Sequence, residues 1–246
     1  MRRFGLIGYP LGHSFSKEYF MNKFSDEGID AVYDNFQIES VDYLPGVIQK
    51  YPDLHGLNVT LPYKTSVIKY LDSVDSKALY AGAVNVISIT VVNNQRKLKG
   101  YNTDIDGFTL SLQAVTGSIA GRALVLGTGG GSKAVQAGLN EIGIEYSLVS
   151  RDRSRGDMIY SDLTGDIMRT IGLVVNTTPL GMYPEIQNAP EIPYEYLDEH
   201  CILFDLVYNP EESLFLKKGR EMGCRTKNGK EMLLIQAEKA WEIWNK

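Results

Sequence analysis

The stretch Ala123-Leu124-Val125-Leu126-Gly127-Thr128-Gly129-Gly130-Gly131-Ser132 runs from four apolar residues into a glycine-rich turn, and residues 133–142 then follow a helical pattern. A short apolar run of this kind reads as a strand buried on both faces, and such strands belong to parallel sheets covered by helices. Gly127 permits the tight turn, and Gly129 lets backbone N–H groups approach a pyrophosphate at the helix N-terminus. Gly130 and Gly131 extend the same turn, and Ser132, at the third position of G-x-G-x-x-G, is small enough for close helix–strand packing. A glycine turn by itself also serves ordinary strand–helix connections. The strand before it and the helix after it favour a dinucleotide.

The strand expected next, 145–149, ends at Ser150-Arg151-Asp152-Arg153-Ser154-Arg155, which carries +2 within six residues. An NAD site places a carboxylate here for the ribose 2′-hydroxyl, whereas an NADP site places arginine for the 2′-phosphate. Planar guanidinium groups suit phosphate through paired, charge-assisted bonds. The cluster favours NADP, and Asp152 keeps NAD open. Further strands are expected at 172–176 and 201–206, a helix at 211–222, and a last helix at 229–244 with Leu233, Ala237, Ala240, Trp241 and Trp244 on one stripe.

Upstream, 3–8, 31–38 and 55–59 read as strands, and 17–28, 44–51, 63–71 and 105–115 as helices. Residues 83–92 and 96–101 read as a hairpin turning at Asn93-Asn94, because asparagine tolerates the positive φ of such turns. The alternation predicts an α/β fold of two units with parallel sheets covered on both faces, closed by the C-terminal helix.

The chain has 246 residues, 43% hydrophobic and 22% charged, with 25 Lys+Arg against 30 Asp+Glu for a net charge of −5. This is the composition of a soluble globular protein. The acidic balance argues against nucleic acid as the main partner, although a small anion needs only local positive charge. Cys201 and Cys224 are too few for a disulfide framework and lack zinc spacing, and no metal site is expected. No apolar run reaches the ~18 residues of a membrane span, and the N-terminus lacks a signal-peptide pattern, so a cytoplasmic protein is expected.

Four short segments end strand candidates and carry hydroxyl, amide or ionisable groups: Gly12-His13-Ser14-Phe15-Ser16-Lys17, Asn58-Val59-Thr60-Leu61-Pro62-Tyr63-Lys64, Gly82-Ala83-Val84-Asn85 and Tyr101-Asn102-Thr103-Asp104. Each could be a cap or a turn alone. Together, upstream of a glycine turn, they read as a substrate pocket facing a dinucleotide.

In these segments the sequence resembles the shikimate dehydrogenases. The motifs are S-x-S at Ser14 and Ser16, N-V-T-x-P-x-K from Asn58 to Lys64, G-A-x-N ending at Asn85, and N-T-D ending at Asp104. They continue with G-x-G-G-x-S from Gly127, N-T-T-P-x-G-M from Asn176 to Met182, D-x-x-Y-x-P from Asp205, and the helix from Gly229 through Gln236. The resemblance implies an N-terminal α/β substrate domain (1–102 and 228–246) and a Rossmann-type NADP-binding domain (103–227), with the C-terminal helix returning to the substrate domain. It implies reversible NADPH-dependent reduction of 3-dehydroshikimate to shikimate, a step towards chorismate and the aromatic amino acids, in a monomer or homodimer.

The resemblance assigns the catalytic pair to Lys64 and Asp104. It places Ser14 and Ser16 on the substrate carboxylate, and Thr60, Asn85 and Gln236 on the ring hydroxyls with Asn58 and Tyr208 close by. Thr177, Met182 and Gly229 join Gly127, Gly129, Gly130, Gly131, Ser132, Ser150, Arg151 and Arg155 around the cofactor. Lys64 is expected in the first turn of a helix, where the dipole disfavours its charge and a neighbouring carboxylate favours it. His13 is expected to be structural. The sequence departs from the family in following Asp104 with Ile105-Asp106-Gly107, and in placing Ser150 and Asp152 where N-R-T-x-x-R has Asn and Thr. A quinate/shikimate dehydrogenase of broader NAD(P) use and a non-catalytic dinucleotide sensor are the alternatives; the presence of both Lys64 and Asp104 weighs against the sensor.

Overall fold

A computed structural model describes residues 1–12, 15–115, 119 and 121–246. It divides the chain into two compact units, Met1–Thr103 together with Ala237–Lys246, and Asp104–Gln236.

The first unit runs β1 (Arg2–Gly8), α1 (Phe15–Asp26), β2 (Ala31–Gln37), α2 (Leu44–Lys50), β3 (Leu54–Val59), β4 (Ser73–Val74), α3 (Ser76–Ala81), β5 (Val86–Val92) and β6 (Gln95–Tyr101). Its six strands lie in the order β2-β1-β3-β5-β6-β4. Successive strand residues point to opposite faces. Thus Phe4, Leu6 and Val86 enter one core with Phe20, Phe24, Tyr33, Ala237, Ala240 and Trp244. Ile7 and Ile87 enter the other, with Leu44, Leu57, Val59, Tyr63 and Val67.

The expected parallel sheet is only partly realised here. β1 pairs parallel with β2 and β3, but β5 is antiparallel to both β3 and β6. For β5 and β6 the reason is the hairpin expected from the sequence: Asn93 and Asn94 take φ of 50° and 61°, so a two-residue turn folds β6 back on β5, which no parallel connection of that length can do. A second expectation also changes. The helix anticipated at 63–71 is a five-residue 3-10 segment, Ser66–Tyr70, preceded by turns. Tyr63 and Val67 are drawn into the core on that face, which leaves Lys64 ahead of a segment too short to present a helix dipole.

The second unit runs α4 (Asp104–Gln113), β7 (Arg122–Leu126), α5 (Gly130–Glu141), β8 (Tyr146–Ser150), β9 (Met158–Ile159), α6 (Gly165–Met168), β10 (Ile171–Asn176), β11 (Ile202–Asp205), α7 (Leu214–Glu221), β12 (Arg225–Lys227) and the start of α8 (Lys230–Trp244). All its strand pairs are parallel, in the order β12-β11-β10-β7-β8-β9. Counted from β7 this is the doubly wound order 3-2-1-4-5-6, whose direction reverses between β7 and β10. Ligands of such sheets bind beyond the carboxyl ends of the strands at that reversal. Alternation again serves two cores: Leu124, Leu126 and Val174 face one, while Ala123, Val125, Leu173 and Val175 face the other.

Candidate active site

In the second unit the glycine turn lies at the reversal point. Gly127 has φ +106°, and a Cβ there would stand 2.8 Å from Thr177 Oγ1. Both limits demand glycine. Thr177, directly after β10, donates to the Leu126 carbonyl from its backbone N–H at 3.0 Å and from its hydroxyl at 2.7 Å, which ties the two strand ends together. Gly129 caps α5 without a side-chain acceptor, and nothing lies within 4 Å of where its Cβ would be. The first N–H groups of this 12-residue helix thus have no side-chain cap, the arrangement that receives a phosphate. Ser132 is fully buried, as close packing of α5 requires, and its hydroxyl accepts from Gln136 Nε2 at 3.0 Å.

At the end of β8, Asp152 is committed to its own turn. Its carboxylate accepts from Ser154 N–H at 2.9 Å and from the Ser154 hydroxyl at 2.8 Å. Those bonds hold it below the usual carboxylate range. The buried Ser150 Oγ accepts from the Asp152 N–H at 3.1 Å, and Arg153 is paired with Asp162 at 2.7 Å. Arg151 and Arg155 are exposed and make no ion pair within 4 Å among the described residues. The structure thus separates the three arginines that the sequence groups together: one is structural and two can meet an anion.

Further along the same carboxyl edge, Asp205 ends β11 in complete burial. Its carboxylate accepts from Asn176 Nδ2 at 2.9 Å, from Val207 N–H at 3.0 Å and from the Ser213 hydroxyl. Burial pushes its carboxyl up to about 7 against the pull of these donors. Asn176 Oδ1 in turn accepts from Thr178 N–H at 3.0 Å. Gly229 donates to the Val207 carbonyl at 3.2 Å. Tyr208 is partly exposed, and burial raises its phenol; Met182 is exposed. Asp104 is buried at the start of α4, and the buried Gln236 donates to the Leu233 carbonyl at 2.9 Å.

In the first unit, Asn58, Thr60, Lys64 and Asn85 are brought together at the carboxyl ends of β1 and β3 by main-chain bonds. Thr60 N–H donates to the Ile7 carbonyl at 2.9 Å, Val59 N–H to the Asn85 carbonyl at 2.8 Å, and Val84 N–H to the Lys64 carbonyl at 2.7 Å. Asn85 Oδ1 accepts from Thr103 N–H at 2.7 Å, and its Nδ2 lies 3.0 Å from Thr103 Oγ1. Asn102 Nδ2 donates to the Ala83 carbonyl at 2.9 Å. Thr60 and Lys64 are half-buried, as is Ser16 in the first turn of α1. Ser14 and His13 lie outside the described residues.

Asn58 is 4% exposed and sits in β3 between Leu6 of β1 and Val86 of β5. The hydroxyl of Tyr33, itself 1% exposed, donates to Asn58 Oδ1 at 2.7 Å. Sequence reasoning missed Tyr33, because in β2 it reads as one more core aromatic. It also left Asp205 without a role, although that residue opens the D-x-x-Y-x-P motif.

Two α/β units, one carrying a strand, a glycine turn and an open helix N-terminus, define the class: a dinucleotide-dependent α/β enzyme. Residues 6–87 match the family model of the shikimate dehydrogenase substrate binding domain. A shikimate dehydrogenase (NADP(+)) of Methanococcus aeolicus is 36% identical, over 98% of this chain and 90% of its own. That of Halothermothrix orenii is 38% identical, over 98% of this chain and 89% of its own. The crystal structure of the shikimate 5-dehydrogenase of Thermus thermophilus in complex with NADP(H) and shikimate superposes with a TM-score of 0.87 at 30% identity, covering 99% of this chain and 93% of that one. The chain belongs to the shikimate dehydrogenase family.

Proposed function

We propose that the chain is an NADP-dependent shikimate dehydrogenase, reducing 3-dehydroshikimate to shikimate reversibly. The first unit holds the substrate and the second the cofactor. The observation that carries this reading is the polar edge of the first sheet. There Asn58, Thr60, Lys64 and Asn85 sit at strand ends with backbones locked by hydrogen bonds, as recognition of a polyol requires.

The second unit fits the cofactor. Gly127 and Gly129 leave the space, the first turn of α5 supplies N–H donors for the pyrophosphate, and Arg151 with Arg155 supplies charge for a 2′-phosphate. Ser150 and Ser132 are buried at the end of β8 and in α5, Gly130 and Gly131 open that helix, and Thr177, Met182 and Gly229 belong to the same unit. The bound reduced nicotinamide supplies the hydride that the ketone carbon accepts. Lys64 then gives the developing alkoxide its proton, and in the reverse direction takes it, with Asp104 as its orienting partner. Ser14 and Ser16 donate to the carboxylate; Thr60, Asn85 and Gln236 bond the ring hydroxyls, with Asn58 and Tyr208 alongside.

No helix among the described residues is long and apolar enough to cross a membrane. The same reading makes the protein a cytoplasmic enzyme, monomeric or homodimeric, without nucleic-acid or membrane partners. Purified protein mixed with shikimate and NADP⁺ should generate reduced-cofactor absorbance, and more weakly with NAD⁺. Absence of turnover with shikimate and either cofactor would overturn the reading.

A further inference from the structure

Asn58 is buried, yet only one end of its amide is used by the protein. Its Oδ1 takes the hydrogen of the Tyr33 hydroxyl at 2.7 Å, while its Nδ2 makes no hydrogen bond among the described residues. Among the described residues Asn35 Oδ1 is the one enclosed side-chain polar atom without a partner, so the small exposure left to Asn58 lies at its NH₂. A ligand oxygen can take the place of water there.

Which end of the amide faces the ligand is decided by Tyr33. A phenol has a single hydrogen. Burial drives the Tyr33 hydroxyl far above its ordinary range, so it stays protonated. An amide oxygen only accepts, so the single phenol hydrogen goes to Asn58 Oδ1. This bond from Tyr33 in β2 to Asn58 in β3 holds the Asn58 carbonyl inward and the NH₂ outward.

We infer that Tyr33 is a positioning residue for substrate: it locks Asn58 as a hydrogen-bond donor, so that the substrate atom Asn58 meets is an oxygen acting as acceptor. This assignment rests on the reading of the first unit as the substrate site. It also specifies chemistry, since a rotated Asn58 would present its carbonyl and could meet only a donor there. Tyr33 itself, in the core with Phe20 stacked on it at 4.9 Å between ring centroids, touches no substrate.

Tyr33→Phe tests this, because it deletes one hydroxyl and keeps the ring and its packing. The KM for shikimate should rise about tenfold, the loss of one well-placed hydrogen bond, while the KM for NADP⁺ stays within twofold. Asn58→Ala should weaken shikimate at least as much, and the double variant should be no worse than Asn58→Ala alone, because Tyr33 acts only through Asn58. A merely structural Tyr33 would lower the melting temperature without separating the two KM values, and its effect would add to that of Asn58→Ala; either result overturns the proposal while leaving the enzymatic reading intact. Wild-type protein that fails to turn over shikimate would overturn both.

Discussion

Lys64 owes its position to main chain. Its carbonyl accepts from Val84 N–H at 2.7 Å, and the preceding Tyr63 is anchored by its hydroxyl to the Ile38 carbonyl at 2.5 Å. Removing the amine therefore leaves the bonds that shape the turn. Lys64→Ala should melt within a degree or two of wild type and bind NADPH with unchanged affinity. Its kcat should fall by about 10²–10⁴, the usual contribution of a positioned proton-transfer group. Stopped-flow or steady-state absorbance with a fluorescence titration of NADPH measures all three; retained kcat would refute the role. The same scale shows why one feature was legible and another was not. Lys64 stands in a dense motif, Asn58-Val59-Thr60-Leu61-Pro62-Tyr63-Lys64, whose residue types have no common structural purpose. Tyr33 lies 25 residues from the Asn58 amide it holds, in an ordinary apolar strand, and only the register of three strands reveals the contact.

Elements divide in the same way. Strands β1, β3, β7 and β10 and the hairpin β5–β6 are legible because apolar periodicity and a two-residue asparagine turn act locally. β4, β9 and β12, of two or three residues each, carry no period and exist only because a neighbouring strand offers its edge. The 3-10 segment after Lys64 escapes for a related reason: its shape follows from Tyr63 and Val67 entering the core, not from helix propensity. The carboxyl end of β11 adds a consequence for stability. Asp205 joins Asn176 after β10, Val207 and the Ser213 cap of α7, and its carboxyl moves from an ordinary 3.8 to about 7 on burial. Tyr194, whose phenol is raised further by the nearby Asp205 charge, stays neutral throughout this range. Between pH 4 and 7 the folded protein thus binds a proton that the unfolded chain has lost, so this group contributes stability at low pH that is withdrawn as pH rises through 7. The penalty reaches about 4 kcal/mol above that point. Asp205→Asn keeps an acceptor for Asn176 and Val207, and its NH₂ can donate to the Ser213 oxygen. It should therefore raise the melting temperature relative to wild type at pH 8 and lose that advantage at pH 4.5. Parallel melting curves at both pH values would show that Asp205 does not titrate in this window.

At the scale of the whole molecule, the first unit is assembled from both ends of the chain. Residues Ala237–Lys246 belong to it, and they bring Trp241 and Trp244, the chain's two tryptophans, into a single core. Trp244 stacks on Phe4 at 4.8 Å between centroids and donates its indole N–H to the Ile87 carbonyl at 3.0 Å. The indole lies against bare backbone at Gly56, where a Cβ would fall 2.2 Å from Nε1. Gly56 itself is clamped between Phe4 of β1 and Ser88 of β5, so the strand cannot retreat and the tryptophan must. Gly56→Ala should therefore cost about 1–3 kcal/mol, the usual range for overpacking a filled core. It leaves both tryptophans in place as reporters of the first unit alone. With a slope of ~1–3 kcal/mol per molar urea, the tryptophan-fluorescence transition should move down by about 1 M. The second unit has its own two cores around β7 and β10, so NADPH binding measured below that transition should keep its wild-type affinity. A variant whose cofactor affinity falls in step with its fluorescence midpoint would show that the two ends of the chain support the whole molecule and not the first unit.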